Sequence, residues 1–254
     1  MNAQVERLIA YPVKGLSPQP LNTAQLNVDG LLPDDRRFAI ARRRGTGASS
    51  IDGWVQKRHF VTLVRDHRLA MLESIYHATE ERLEIRRAGR PVAAGTITTS
   101  TGRDLIDQFL NAFLENEPGL SVGIVQAPDS VHFTDKQPAY LSIINLASVK
   151  DLERVTRAPV DPLRFRGNIL VSGLPPWIER SWIGDTITVG SVQLKVAEQI
   201  GRCAATEVNP ETGNRDMPIT KALVRGYDHC ECGVYARVVT AGTLSIGDPI
   251  TVHS

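Results

Sequence analysis

Thr186-Ile-Thr-Val189-Gly190-Ser191-Val192-Gln-Leu-Lys-Val-Ala197 alternates apolar and polar residues on both sides of a Gly-Ser pair. Alternation with period two puts every apolar side chain of a strand on one face, and a glycine pair between two such runs makes a tight turn. The stretch therefore predicts a β-hairpin. It runs directly into Gln199-Ile-Gly-Arg202-Cys203-Ala-Ala-Thr206-Glu-Val-Asn209-Pro-Glu-Thr-Gly213, a turn-rich segment holding a cysteine beside an arginine. A cysteine at the exit of a strand is placed to meet a ligand. A neighbouring guanidinium such as Arg202 favours its thiolate, the form that attacks electrophiles and binds metals. The same residue equally suits core packing, since free cysteine is among the most buried residue types.

Outward from the hairpin, the chain reads as short strands punctuated by turns. Residues 5–10, 21–28, 37–42, 69–75, 82–86, 120–125 and 168–172 are strand-like runs, and residues 244–252 suggest a closing strand–turn–strand. Residues 42–50 read as a polar, glycine-containing loop. Two stretches carry helical periodicity. In residues 102–114, Ile106, Phe109, Leu110 and Phe113 recur as one apolar stripe, ended by residues 116–119. In residues 147–156, Leu146, Val149, Leu152 and Val155 fall three apart, with Ser148 and Asp151 as candidate caps. The regular strand–helix alternation of a parallel α/β sheet is missing. The expectation is an α+β, mainly β chain with barrel-like architecture and a few helices, divided softly near residues 126–130 into 1–127 and 128–254.

Bulk properties narrow the function. The 254 residues carry a net charge of +1, so no global field recruits nucleic acid or an acidic membrane, and any anion site must be local. Three unevenly spaced cysteines do not make a disulfide framework. No apolar run approaches a membrane span and the first residues lack a signal-peptide core, which makes a cytoplasmic protein the default expectation.

Leu163-Arg164-Phe165-Arg166-Gly167-Asn168 precedes a continuous apolar run. In extended backbone Arg164, Arg166 and Asn168 would share one side, giving a bidentate anion clamp with an amide beside it. A surface salt-bridge stripe fits the same spacing. Tyr11-Pro-Val-Lys14-Gly15 and Asp34-Asp35-Arg36-Arg37-Phe38 carry candidate cations, and their plain readings are a solvated turn and a charged strand start. Trp54-Val-Gln-Lys57-Arg58-His59 reads as an exposed edge. Trp177 and Trp182 read as packing residues, and Asp216 as a turn carboxylate. His229-Cys230-Glu231-Cys232 has the wrong spacing for an ordinary zinc site, so core packing is preferred for Cys232.

Read together, Arg202-Cys203-Ala-Ala-Thr206-Glu-Val-Asn-Pro-Glu-Thr-Gly213, Arg164-Phe-Arg166-Gly-Asn168-Ile-Leu-Val-Ser-Gly173, Tyr11-Pro-Val-Lys14-Gly15 and Asp35-Arg36-Arg37-Phe38 resemble the MOSC family of molybdenum-cofactor-binding domains. The likeness runs in order from Tyr11 to Pro249. Two departures stand out: Ile200 replaces a second cysteine often found three residues before the first, and Gly167 replaces a usual proline. The resemblance implies a β-rich N-terminal domain followed by a MOSC β-barrel-like domain. It implies that Cys203 ligates the molybdenum of a pterin cofactor, with Arg202 and Thr206 in its signature. It implies that Lys14, Arg36, Arg164 and Arg166 neutralise the cofactor phosphate, while Asn168 pairs with the heterocycle. The implied activity is reduction of N-hydroxylated or N-oxide-type small molecules. Because the sequence stops at Ser254, soon after this pattern, a separate ferredoxin, flavoprotein or haem protein is the expected electron donor. A persulfide carrier using Cys203, or a binder of the cofactor without turnover, are the alternatives.

Overall fold

The computed structural model describes residues 3–44, 51, 53–114, 120–129 and 131–253. The expected hairpin is present: Thr186–Val189 pairs antiparallel with Val192–Gly201, and Val189 faces Val192 across the turn. Gly190 holds φ +58°, a left-handed conformation that a β-carbon would strain, and an added Cβ would lie 2.2 Å from Asp248 Oδ2. Val192, Leu194 and Val196 are buried while Gln193, Lys195 and Ala197 are exposed, so the alternation does set the register.

Around this hairpin lies an eight-stranded sheet. Its order is Ile250–His253, Thr186–Val189, Val192–Gly201, Glu231–Thr240, Leu141–Asn145, Ile169–Ser172, Gln4–Ala10, Gln19–Leu21. All neighbours are antiparallel except Leu141–Asn145 and Ile169–Ser172, which run parallel. A parallel pair needs a crossover, and the helix Leu146–Thr156 supplies it. The sheet curls until its Ile250–His253 edge meets the start of Gln4–Ala10. Ile250 N–H donates to Ala3 O at 3.0 Å, and Val5 N–H to Asp248 O at 2.9 Å. Its enclosed face contributes Val5, Leu8, Ile169, Ile187, Leu194 and Val234 to a core that Leu26 and Leu244 complete from outside the sheet. Architecture and composition agree with the expected α+β, mainly β class.

The remaining strands form smaller sheets. Val13–Lys14, Phe38–Arg44 and Leu120–Gln126 make one; Leu72–His77, Arg82–Arg87 and Arg90–Thr96 make another. The helix Ser100–Leu114 closes this second core with Ile106, Leu110 and Phe113, the stripe seen in the sequence. The chain's first strands do not stay with these sheets. Gln4–Ala10 pairs with Ile169–Ser172, and Thr23–Leu26 pairs with Gly242–Ser245. The two halves are thus sewn together at the start of the chain.

Several local expectations change. Residues 69–75 are not one strand: His67–Met71 is a short 3-10 turn and the strand is Leu72–His77. The helix Leu146–Thr156 is capped by Asn145, whose side chain accepts from Ala147 N–H at 3.0 Å. Ser148 instead turns inward and donates to buried Glu179. The closing strand–turn–strand expected at 244–252 is present as Gly242–Ser245 and Ile250–His253, though the two strands pair with different neighbours and not with each other. The helix Ile219–Tyr227 and the fully buried strand Leu141–Asn145 had no counterpart in the sequence reading. Most of the loop expected at 42–50 and the helix stop at 116–119 lie outside the described residues. No described helix is long and apolar enough to cross a membrane.

Candidate functional site

A cleft of about 1000 Å³, counted out to its solvent-open mouth, lies between the smaller sheets and the large one. Lys14, Gly15, Arg36, Lys57, Leu63 and Val64 come from the first half of the chain. Asp135, Tyr140, Ser142, Arg164, Arg166, Asn168, Cys203, Thr206 and Tyr235 come from the second. All eight residues singled out from sequence, Lys14, Arg36, Arg164, Arg166, Asn168, Arg202, Cys203 and Thr206, line this one space. Lys57 also lines it, although its segment had read as an exposed edge.

Cys203 sits where the long strand of the hairpin ends. It is half-buried and precedes the 3-10 turn Ala204–Glu207. Its carbonyl accepts from Thr206 N–H at 3.0 Å and from Thr206 Oγ1 at 2.9 Å, so Thr206 closes the turn. Arg202 is committed to backbone. Its Nε donates to Cys232 O at 2.8 Å and its NH1 to Phe165 O at 2.9 Å. Its own N–H donates to Cys230 O at 2.8 Å. These bonds hold the backbone entering Cys203 and do not involve the sulfur. Gly233 makes room for them at φ +79°, where a Cβ would lie 2.4 Å from Ile143 O and 3.3 Å from Arg202 NH2. Gly233→Ala should therefore destabilise the fold by about 2 kcal/mol, read as a lower urea midpoint.

Arg164 and Arg166 do not lie on the extended segment expected. Pro162–Phe165 is a 3-10 turn capped by the Asp161 side chain, and Arg166 ends it at φ +51°. The two arginines reach the cleft from a turn and its left-handed cap. Arg164 is buried; NH2 pairs with Asp216 Oδ1 at 2.7 Å and NH1 donates to Glu207 O at 3.2 Å, leaving Nε with no partner. Arg166 donates to Leu16 O at 2.8 Å and makes no ion pair among the described residues. Burial pushes its guanidinium down to about 10, so it stays charged at neutral pH. At Gly167 a Cβ would lie 2.3 Å from Ile144 Cγ1, so Ile144 fills the room that a larger residue there would need.

Arg36 pairs with buried Asp35 and donates to Arg166 O at 3.1 Å. Burial works against its charge, but the Asp35 carboxylate more than compensates and raises its pKa. Lys14 is buried too, and donates to Phe133 O at 2.8 Å and to Asp135. Burial lowers its ammonium below the usual range against the pull of Asp135. Asn168 is 1% exposed, and its amide is already bonded to Ser142 and to Ile9 O. Cys232 packs in the core, where burial pushes its thiol up to about 12. Trp182 is buried in the large core, whereas Trp177 is half-buried and donates to Asp151. Among the described residues no group of three His, Cys, Asp or Glu side chains could hold a metal ion.

Electrostatically the cleft is lopsided. Lys14, Arg36, Lys57, Lys136, Arg164, Arg166 and Arg202 line it against one carboxylate, Asp135. In a chain of net charge +1 this is a local concentration of cations around the cleft thiol, although Lys14, Arg36 and Arg164 are paired with Asp135, Asp35 and Asp216.

The chain belongs to the MOSC family: the MOSC domain profile matches residues 128–251 and the MOSC N-terminal beta barrel domain profile matches residues 2–116. Among similar proteins are the mitochondrial amidoxime-reducing component 1 of Homo sapiens, 29% identical over 56% of this chain and 49% of that one, and of Danio rerio, 34% identical over 48% and 39%. The molybdenum cofactor sulfurase of Caenorhabditis elegans is 29% identical over 58% of this chain and 20% of its own length. The chain thus spans about half, or less, of these curated relatives. The solved YUAD protein of Bacillus subtilis aligns with 100% of the chain and 97% of its own at 15% identity and a TM-score of 0.47. The curated relatives support a function related to molybdenum.

Proposed function

We propose that the protein is a molybdenum-cofactor-dependent oxidoreductase that reduces N-hydroxylated or N-oxide-type small molecules, with electrons from a separate ferredoxin, flavoprotein or haem protein. One observation carries this reading: the single accessible cleft thiol, Cys203, shares its space with seven cations, and one of them, Arg164, keeps a buried Nε without a partner. An orphaned buried donor is costly unless a ligand accepts from it. The donor set fits an anionic, phosphate-bearing pterin with a thiolate-bound metal.

Cys203 would hold the metal, and Arg36, Arg164, Arg166 and Lys14 would hold the phosphate. When bound, the cofactor supplies the two-electron chemistry and the change of metal oxidation state. The chain's own residues bind and orient. Arg202 and Thr206 fix the backbone on either side of Cys203, so the position of its β-carbon is set before any ligand binds. Removing the oxygen of an N-hydroxyl group consumes an electron pair and two protons and releases water, and the open mouth gives those protons access from solvent. Tyr140 and Tyr235 stack at 5.7 Å on the wall of the same cleft, and their aromatic edges would supply apolar contact to a planar substrate. Three free thiols suit a reducing compartment, and the cytoplasm is proposed as the protein's location.

The test is elemental analysis of protein purified from a host able to make the cofactor, with pterin assayed after acid oxidation. Near-stoichiometric molybdenum and pterin, with reduction of an aryl amidoxime by an artificial electron donor, is the expected result. Pterin without turnover would assign cofactor carriage. Cyanide-releasable sulfur in protein free of molybdenum would assign persulfide transfer through Cys203.

A further inference from the structure

Tyr11 has no exposed surface and does not line the cleft, yet its ring touches two of the cleft's cations. The Arg166 guanidinium carbon is 4.2 Å from its ring centroid and that of Arg36 is 4.8 Å away. Arg36 comes from the first half of the chain and Arg166 from the second. Each sits in the left-handed region, at φ +52° and +51°, which a non-glycine residue adopts only when its surroundings over-determine it.

Those surroundings centre on Tyr11. Its carbonyl accepts from Arg36 N–H at 2.8 Å, and its N–H donates to Asp35 Oδ1 at 2.7 Å. Arg36 donates to Arg166 O at 3.1 Å. Two like charges this close repel, and a desolvated setting screens them poorly. The negative face of an aromatic ring attracts each of them. The phenol hydroxyl reaches Gly167 O only at 3.4 Å, so the ring carries the arrangement more than the hydroxyl.

We infer that Tyr11 is a positioning residue whose ring holds the Arg36 and Arg166 guanidiniums side by side on the cleft wall, where together they bind one phosphate group. The inference rests on the cofactor reading only for the identity of the molecule that carries the phosphate. It leaves Cys203 and the redox step untouched.

The experiment measures binding of inorganic phosphate to the cofactor-free full chain by titration calorimetry. Tyr11→Phe keeps the ring and should bind within about twofold of wild type, whereas Tyr11→Leu should bind about tenfold more weakly. If the leucine variant does not fold, progressively fluorinated phenylalanines at position 11 keep the shape and drain the ring's negative face. Phosphate affinity should then fall stepwise toward the same tenfold loss. A purely structural role would shift the melting temperature and leave phosphate affinity flat across that series, overturning the inference. So would a phenylalanine variant as weak as leucine, which would assign the hydroxyl, or a wild type that binds no phosphate. Phosphate binding that follows the series, in a chain that takes up neither pterin nor molybdenum in a host able to make the cofactor, would sustain the role of Tyr11 while sinking the cofactor reading.

Discussion

Cys203→Ser should lower molybdenum content at least about 100-fold and abolish turnover, while leaving the fold intact. Losing an outer partner of a metal ligand already costs about 10–100-fold in metal affinity, so losing the ligand itself costs no less. A serine hydroxyl stays protonated at neutral pH and is a harder donor than a thiolate. The fold is spared because Cys203 contributes backbone to its turn: Thr206 bonds to the Cys203 carbonyl, which serine retains. The side chain is half-buried, so the melting temperature should move by no more than about 2 °C.

Pterin separates the roles of thiol and cations. The arginines proposed to hold the phosphate are untouched by Cys203→Ser, so some pterin should remain with the metal-depleted protein. Arg164→Met should lose pterin and molybdenum together, because it removes the unpartnered Nε along with the rest of the guanidinium. A Cys203→Ser protein that kept both metal and turnover would rule out Cys203 as the ligand.

How much of this was legible in the sequence varies with the physics of each element. The hairpin at Gly190-Ser191 was readable because strand alternation and turn chemistry are local and agree. The helix Ser100–Leu114 was readable because its apolar stripe faces a single core. Leu141–Asn145 was missed: buried on both faces between two neighbours, it has no alternation to show. The helix Ile219–Tyr227 is one short amphipathic stretch ending in a left-handed cap, and Gly226 within it marks close approach to Val155. At the site, Arg164 and Arg166 were found with an extended geometry that does not exist. Asp161 and Pro162 were in plain view as a cap and first position of a turn, and that signal was passed over. Asp135, Tyr140 and Tyr235 gave no local sign, since only the tertiary fold brings them to the cleft.

Asn168 shows how the same amide supports fold and site, and Asn168→Ala should cost about 3–5 kcal/mol of stability, read from the urea unfolding midpoint. The residue joins three adjacent strands. Its Oδ1 accepts from Ser142 N–H at 3.1 Å and from Ser142 Oγ at 2.9 Å. Its Nδ2 donates to Ile9 O at 3.1 Å. Truncation strands a buried amide, a hydroxyl and a carbonyl, each costing about 1–3 kcal/mol when left without a partner. Asn168→Asp keeps the acceptor for Ser142 but presents an oxygen to the Ile9 carbonyl, so it should also destabilise. Arg36 touches the same Oδ1 at 3.5 Å, at the outer limit of a hydrogen bond. Asp35 and the Arg166 carbonyl hold Arg36 more firmly, so folded Asn168→Ala protein should retain most of its pterin. An unchanged unfolding midpoint with lost pterin would reverse this assignment and make Asn168 a direct contact of the heterocycle.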